Sequence, residues 1–362
     1  MPMIRTDLGL SYTQAGFVLS AFAITGGFSQ LPAGWLADRF GARVMVTIGI
    51  SGVAIAGLLI GLSHSYVALI AFLVVAAILG GGYHPSAATA ISASVPSERR
   101  GRALGLHLIG GSSSFWVVPL LAAPIAVTWG WRSSYLILSI PVLILGIALY
   151  VLIGRRVRFQ TPVLQTTDSD APATPTAIRW RQLLPFLIMS VATGTMIQSV
   201  AGYLSLYAVD GLGVSEAIAA YLVAITPAVG LFAAPLGGYL YDRAGGVPIL
   251  LIVSFTAIPL IYLLGIVPNV PALVAVMFFM GIVSNFRMPT SEAYLIGHTP
   301  LHRRSTILGF YFFASAEVSG LLTPAVGVLI DRVGFSSCFT YVSASLAVIT
   351  VICSLFMWRI RQ

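Results

Sequence analysis

The chain has 362 residues, 58% of them hydrophobic and only 8% charged, with a mean hydropathy of +0.96. A soluble domain carries roughly 25% charged residues, and no soluble fold of this size hides so large an apolar fraction, so that class is excluded. Lipid admits only helices and closed barrels, and the apolar runs here are long rather than short and alternating. The fold class is therefore an all-α polytopic membrane protein. The net charge of +8 comes from 19 basic residues, all arginine, against 11 acidic ones. These arginines sit in short loops between apolar runs, which fits orientation of a membrane chain and argues against a nucleic-acid partner.

In chain order, the opening Met1–Asp7 is not a signal peptide, because a polar turn and a full-length span follow it. Eleven helices are predicted, at 12–36, 44–62, 66–94, 102–127, 132–154, 181–207, 215–240, 247–267, 271–298, 305–330 and 335–358. Loops are short except for 155–180, which holds Arg155, Arg156 and Arg158, then Thr161, Pro162, Asp168, Asp170, Pro172 and Pro175. That composition marks a flexible linker between an N-terminal half, 1–154, and a C-terminal half, 181–362. The two cysteines, Cys338 and Cys353, share one apolar stretch and suggest inert buried thiols. No metal-ligand spacing is present, and a chain without lysine has no Gly-x-x-x-x-Gly-Lys loop, so neither metal nor cofactor is expected.

The two halves repeat at a fixed offset of 204 residues. Asp38-Arg39 pairs with Asp242-Arg243, Pro85 with Pro289, Pro96 with Pro300, and Arg99-Arg100 with Arg303-Arg304. Gly105 pairs with Gly309, Gly130 with Gly334, Leu8-Gly9 with Leu212-Gly213, and Ser11 with Ser215. The helix at 181–207 finds no mate, which points to a parent of six plus six helices with eleven of twelve present. Fifteen arginines fall on one side and three, Arg5, Arg132 and Arg332, on the other, while Arg287 stays within a span. The Arg-rich side is expected to be cytoplasmic, with the linker and C-terminus there.

The turn Gly34-x-Leu36-Ala37-Asp38-Arg39-x-Gly41-x-Arg43, its echo at Gly238–Gly245 and the two-half layout resemble the major facilitator superfamily of secondary transporters. The resemblance covers the whole chain and implies two pseudo-symmetric six-helix bundles, here without the first helix. The stretch Gly80–Pro85, with Tyr83 and His84, is similar to fosmidomycin-resistance-type exporters. The drug–proton antiporter signature Gly-Pro-x-x-Gly-Gly is replaced by Gly110–Pro119, GGSSSFWVVP. In the resembling family the turn acts as a cytoplasmic gate, which assigns that role to Gly34, Asp38, Arg39, Gly41, Arg43, Asp242 and Arg243. Physically, Asp38 suits the positive N-terminal end of a neighbouring helix, and Gly41 suits a tight turn.

Ionisable groups inside a membrane are costly and so are functional candidates. Arg287 and Glu317 lie at equal distances either side of the turn near 301–302, which predicts equal depth and an ion pair. Their mates, Tyr83 and Ser113, are uncharged, so the pair is confined to one half. Glu292 is five residues from Arg287, about 140° around a helix, and is expected on another face, level with Tyr311. It is a candidate proton carrier. His84, beside three glycines and Pro85, is a candidate for a midplane substrate or proton site, and His107 for coupling. Trp116, Trp180, Gln198 and Tyr203 are candidate cavity-lining residues; His64, His298 and His302 belong to loops. The expected protein is a monomeric, proton-coupled secondary transporter of a small organic anion or drug-like solute in the plasma (inner) membrane. Alternatives are a uniporter, a membrane sensor, or a truncated remnant.

Overall fold

A computed structural model describes residues 2–10, 12–156, 178–214 and 216–361. Most of the 155–180 linker lies outside the described residues. The helices are α1 (Pro2–Asp7), α2 (Tyr12–Phe40), α3 (Ala42–Gly61), α4 (Tyr66–Gly80), α5 (Tyr83–Ala93), α6 (Arg100–Trp129), α7 (Trp131–Arg156) and α8 (Trp180–Ala201). Then come α9 (Leu204–Leu206) with a π-turn at Tyr207–Gly211, α10 (Glu216–Val223), α11 (Ile225–Ala244), α12 (Gly246–Leu264), α13 (Val270–Gly297) and α14 (Arg304–Arg361). α14 holds two spans end to end, divided at Gly334, where φ is 77° and ψ 170°. With α4–α5, α8–α9 and α10–α11 each counted as one span, the described residues make eleven.

Three predicted helices are interrupted. The span at 66–94 breaks at Gly81 and Gly82, which keep right-handed φ values of −58° and −78°, while its mate α13 runs unbroken through Pro289. The span at 215–240 breaks at Ala224, and the one at 181–207 ends at Ala201 before the π-turn.

The backbone carries the repeat as plainly as the sequence does. The left-handed glycines are Gly9, Gly41, Gly130, Gly213, Gly245 and Gly334, which form three pairs 204 apart. At these six positions the chain turns with a φ that side-chain-bearing residues avoid. The caps repeat too: Ser65 accepts the Ala68 N–H at 3.2 Å, and its mate Asn269 accepts the Ala272 N–H at 3.0 Å.

The chain forms two compact units. The first comprises 1–94, 116–177 and 299–313; the second comprises 95–115, 178–298 and 314–362. Each includes a short piece drawn from the other half of the sequence. In the first, α3 packs on α7 through small residues, with Gly57 against Ser139 and Gly61 against Leu136. Leu69, Ala56, Ile60 and Trp131 form its buried core. In the second, α13 packs on α11 and α12 around Leu264, Leu273, Met277 and Phe339.

Candidate functional site

In the first unit, the end of α2 meets the start of α14. Asp38 accepts the Ser305 N–H at 2.9 Å, the Thr306 N–H at 2.7 Å and the Thr306 hydroxyl at 2.5 Å. A carboxylate is stabilised there because a helix N-terminus presents unbonded N–H groups and the positive end of the dipole. Gly34 makes the approach possible: a Cβ added to it would come within 3.1 Å of the Gly309 Cα and run into the Ser305 carbonyl.

The second unit repeats this contact. Asp242, at the end of α11, accepts the Gly101 N–H at 2.7 Å and the Arg102 N–H at 3.0 Å, and pairs with the Arg102 Nε at 3.4 Å. Gly238 abuts the Gly101 carbonyl as Gly34 abuts that of Ser305. All positions correspond at 204 residues. One difference stands out: Arg102 in the second unit corresponds to Thr306 in the first.

Around these turns, Gly41 and Gly245 take φ of 89° and 80°. Arg43 donates to the Tyr150 carbonyl at 2.6 and 3.0 Å and lies 3.9 Å from that ring's centroid. Arg39 lies 5.5 Å from the Trp35 ring centroid, and Arg243 4.8 Å from that of Tyr239.

The candidates within the spans sort into the two units. In the first, His84 meets Tyr83 edge-on at 5.3 Å and Phe312 at 5.8 Å, and Phe312 meets Tyr311 at 5.3 Å. His84 is exposed, whereas Tyr311 is 1% exposed. In the second, Arg287 turns towards α8. Its Nη1 donates to the Ser190 carbonyl at 3.2 Å and the Ser190 hydroxyl at 3.3 Å. Gly194 leaves room for the guanidinium, since a Cβ there would lie 2.6 Å from Nη2. The Ser190 and Ser291 hydroxyls share a 2.6 Å hydrogen bond. Glu292 is 2% exposed, and its Oε2 has no hydrogen-bond partner among the described residues.

Glu292 and Arg287 lie on the same helix, α13, and Arg287 directs its hydrogen bonds to Ser190 on α8. The expected Arg287–Glu317 ion pair does not form among the described residues, and Glu317 is half-exposed. Equal depth alone could not choose the partner, because Ser190 and Gly194 on α8 supply both acceptors and space. His107 and Ser113 are half-buried on α6; it is Ser112, one residue earlier, that faces Asn285 over Gly230. Tyr203 is tied to α14 through the Thr323 carbonyl at 2.9 Å, Gln198 and Trp180 are exposed, and the Trp116 side chain lies outside the described residues. Ser305, Thr306, Gly101 and Arg102 were not foreseen as partners of the two aspartates, although they too lie 204 apart, directly after the paired Arg-Arg dipeptides.

Comparison with known proteins places this architecture. The family model described as Major Facilitator Superfamily matches residues 1–261. The "Multidrug resistance protein MdtG" of Enterobacter lignolyticus is 28% identical over 355 residues, covering 94% of this chain and 82% of that protein. Among solved structures, the human organic anion transporter MFSD10 superposes with a TM-score of 0.76 at 15% identity, covering 96% of this chain and 87% of that one. The proton:xylose symporter XylE gives 0.75 at 17% identity, covering 99% and 90%. Eleven helical spans among the described residues, an internal repeat with its paired aspartate contacts and a family match over most of the length converge, and this chain belongs to the Major Facilitator Superfamily of secondary transporters.

Proposed function

We propose that the protein is a proton-coupled transporter of a small organic anion or drug-like solute, working by alternating access. One observation carries this reading: a carboxyl, Glu292, buried inside the same membrane span that carries Arg287. An acid and a base placed there are expensive and have no evident structural return. Glu292 binds and releases the proton, and Arg287, steered by Ser190 and Gly194, receives an anionic group of the solute. In the first unit His84, Tyr83 and Tyr311 are the candidates for an aromatic, polar solute contact, and in the second Ser113, His107 and Glu317 are further candidates. The Arg-rich ends face the cytoplasm, on the excess of arginine in those loops. The Asp38 and Asp242 contacts hold that side shut and must break for it to open, while 1–154 and 181–362 move as bodies joined by 155–180. The relatives named for multidrug resistance and the structural neighbours named for organic anions and for proton symport support the solute classes and the coupling.

The test is uptake by the purified protein in liposomes, with and without an imposed pH gradient, across a panel of organic anions and amphipathic drugs. The gradient should drive accumulation, and Glu292→Gln should abolish that drive while leaving solute exchange at equilibrium intact. Accumulation by Glu292→Gln equal to that of the wild type would remove Glu292 from the coupling. Gradient-independent uptake by the wild type would leave a uniporter.

A further inference from the structure

A cavity of about 420 Å³ opens at the Arg-rich end of the first unit, lined by Trp35, Asp38, Arg39, His302, Arg303 and Thr306. Its one carboxylate, Asp38, is already committed to three donors from Ser305 and Thr306. Among the described residues neither Arg39 nor Arg303 makes an ion pair.

The internal repeat provides a control for this place. The mates of Trp35, Arg39 and Thr306 are Tyr239, Arg243 and Arg102. In the second unit Arg102 reaches Asp242 and shares the Tyr239 ring with Arg243, each guanidinium 4.8 Å from the centroid. At the position corresponding to His302 the second unit's sequence has a carboxylate, Glu98. Thr306 is too short to fill the space that Arg102 takes, and His302 adds no negative charge. The first unit thus has open space beside two arginines, where in the second unit Arg102 reaches across to Asp242.

A cation would be repelled by Arg39 and Arg303. A phosphate suits them, since guanidinium groups grip phosphate oxygens through paired N–H donors. The surroundings are apolar and interfacial: Trp35, Phe40 and Leu301 are 51%, 58% and 45% exposed. Aromatic side chains at the ends of spans mark the membrane–water boundary, where headgroup phosphates lie.

We propose that this cavity is a binding site for a phosphate mono- or diester, held by Arg39 and Arg303 with His302 as a further donor. The anion bridges the end of α2 and the start of α14 from outside, beside the Asp38 contact. The phosphate belongs either to an anionic lipid headgroup or to a soluble phosphate ester. The proposal is independent of what the protein transports.

The test uses the purified full chain and native mass spectrometry, with phosphatidylglycerol against phosphatidylcholine as lipid probes and glycerol 3-phosphate as the soluble probe. Preferential retention of phosphatidylglycerol identifies a lipid site; binding of glycerol 3-phosphate without lipid preference identifies a soluble one. Arg303→Gln and Arg39→Gln should each weaken the bound probe about fivefold, and the double variant about 25-fold. Thr306→Arg installs the residue of the second unit and adds positive charge, yet it should abolish binding by filling the cavity. A merely electrostatic surface would bind more tightly in that variant, which would overturn the proposal. Wild-type affinity in Arg303→Gln and Arg39→Gln, or no preference for either phosphate probe in the wild type, would overturn it as well. Melting temperatures of all variants separate loss of the site from loss of the fold.

Discussion

Asp38→Asn isolates the negative charge at the end of α2. The carboxylate accepts from the Ser305 N–H at 2.9 Å and from the Thr306 N–H and hydroxyl at 2.7 and 2.5 Å. An amide offers one oxygen and one NH2. With the oxygen towards Thr306 it keeps two bonds and sets its NH2 against the Ser305 N–H; the other rotamer keeps one bond and opposes two donors. The better rotamer loses a charge-assisted hydrogen bond, about 1.5–3 kcal/mol, and the anion at a helix N-terminus, about 0.3–1 kcal/mol. A total of about 2–4 kcal/mol shifts the closed–open balance of this contact by roughly thirtyfold or more. Ser305 is 1% exposed, and both native cysteines are buried, so a Ser305→Cys background reports on this contact alone. Maleimide labelling of that cysteine should accelerate at least tenfold in Asp38→Asn. An unchanged labelling rate in a folded variant would refute the claim that the carboxylate holds α2 to α14.

Two glycine substitutions should separate packing from function. Gly238→Ala sets a methyl group against the Gly101 backbone, which cannot step aside, so it should cost about 1–3 kcal/mol and lower the melting temperature. Gly194→Ala meets only the movable end of Arg287, so stability should hold or rise slightly while solute uptake falls at least tenfold; lost stability with normal uptake would contradict this. At the opposite end, Arg132 and then Trp131 hydrogen-bond to Asp7 at 2.6 and 3.2 Å and hold its carboxyl below the ordinary value of 3.8. The contribution of that contact is therefore full above the unfolded value and disappears as pH falls through the lower, folded one. Hydrogen-exchange protection of residues 2–8, taken relative to the intrinsic rate at each pH, should fall only below about pH 4 in the wild type and be low at every pH in Asp7→Asn.

The repeat made much of this fold legible. Helix number and the glycine turns follow from hydropathy and a constant offset, because these features depend on chain-local physics. Asp38 at a helix N-terminus was also within reach, since a charged residue in an apolar chain has few places to go. The breaks at Gly81 and Ala224 were less accessible: they depend on which neighbour presses on the backbone, as Ser29 does on Gly81. The partner of Arg287 was illegible for a particular reason. Ser190 and Gly194 lie on α8, the one helix with no mate in this sequence, so the symmetry that guided every other inference had nothing to say there. Depth along a helix is recorded in residue number; direction around it is decided by the cavity a neighbour leaves.

The three pairs of left-handed glycines carry one more consequence. From Gly9 to Gly130, and again from Gly213 to Gly334, the two halves have kept the same residue count. Each inserted residue would turn the following helix by about 100° and swing a lipid-facing stripe into the core. Side chains have been free to diverge, leaving Arg287 opposite Tyr83 and Thr306 opposite Arg102, while length has not. Single-residue insertions should therefore be tolerated poorly throughout both stretches. A library of them would trace the two matched stretches as a barcode written in chain length rather than in side chains.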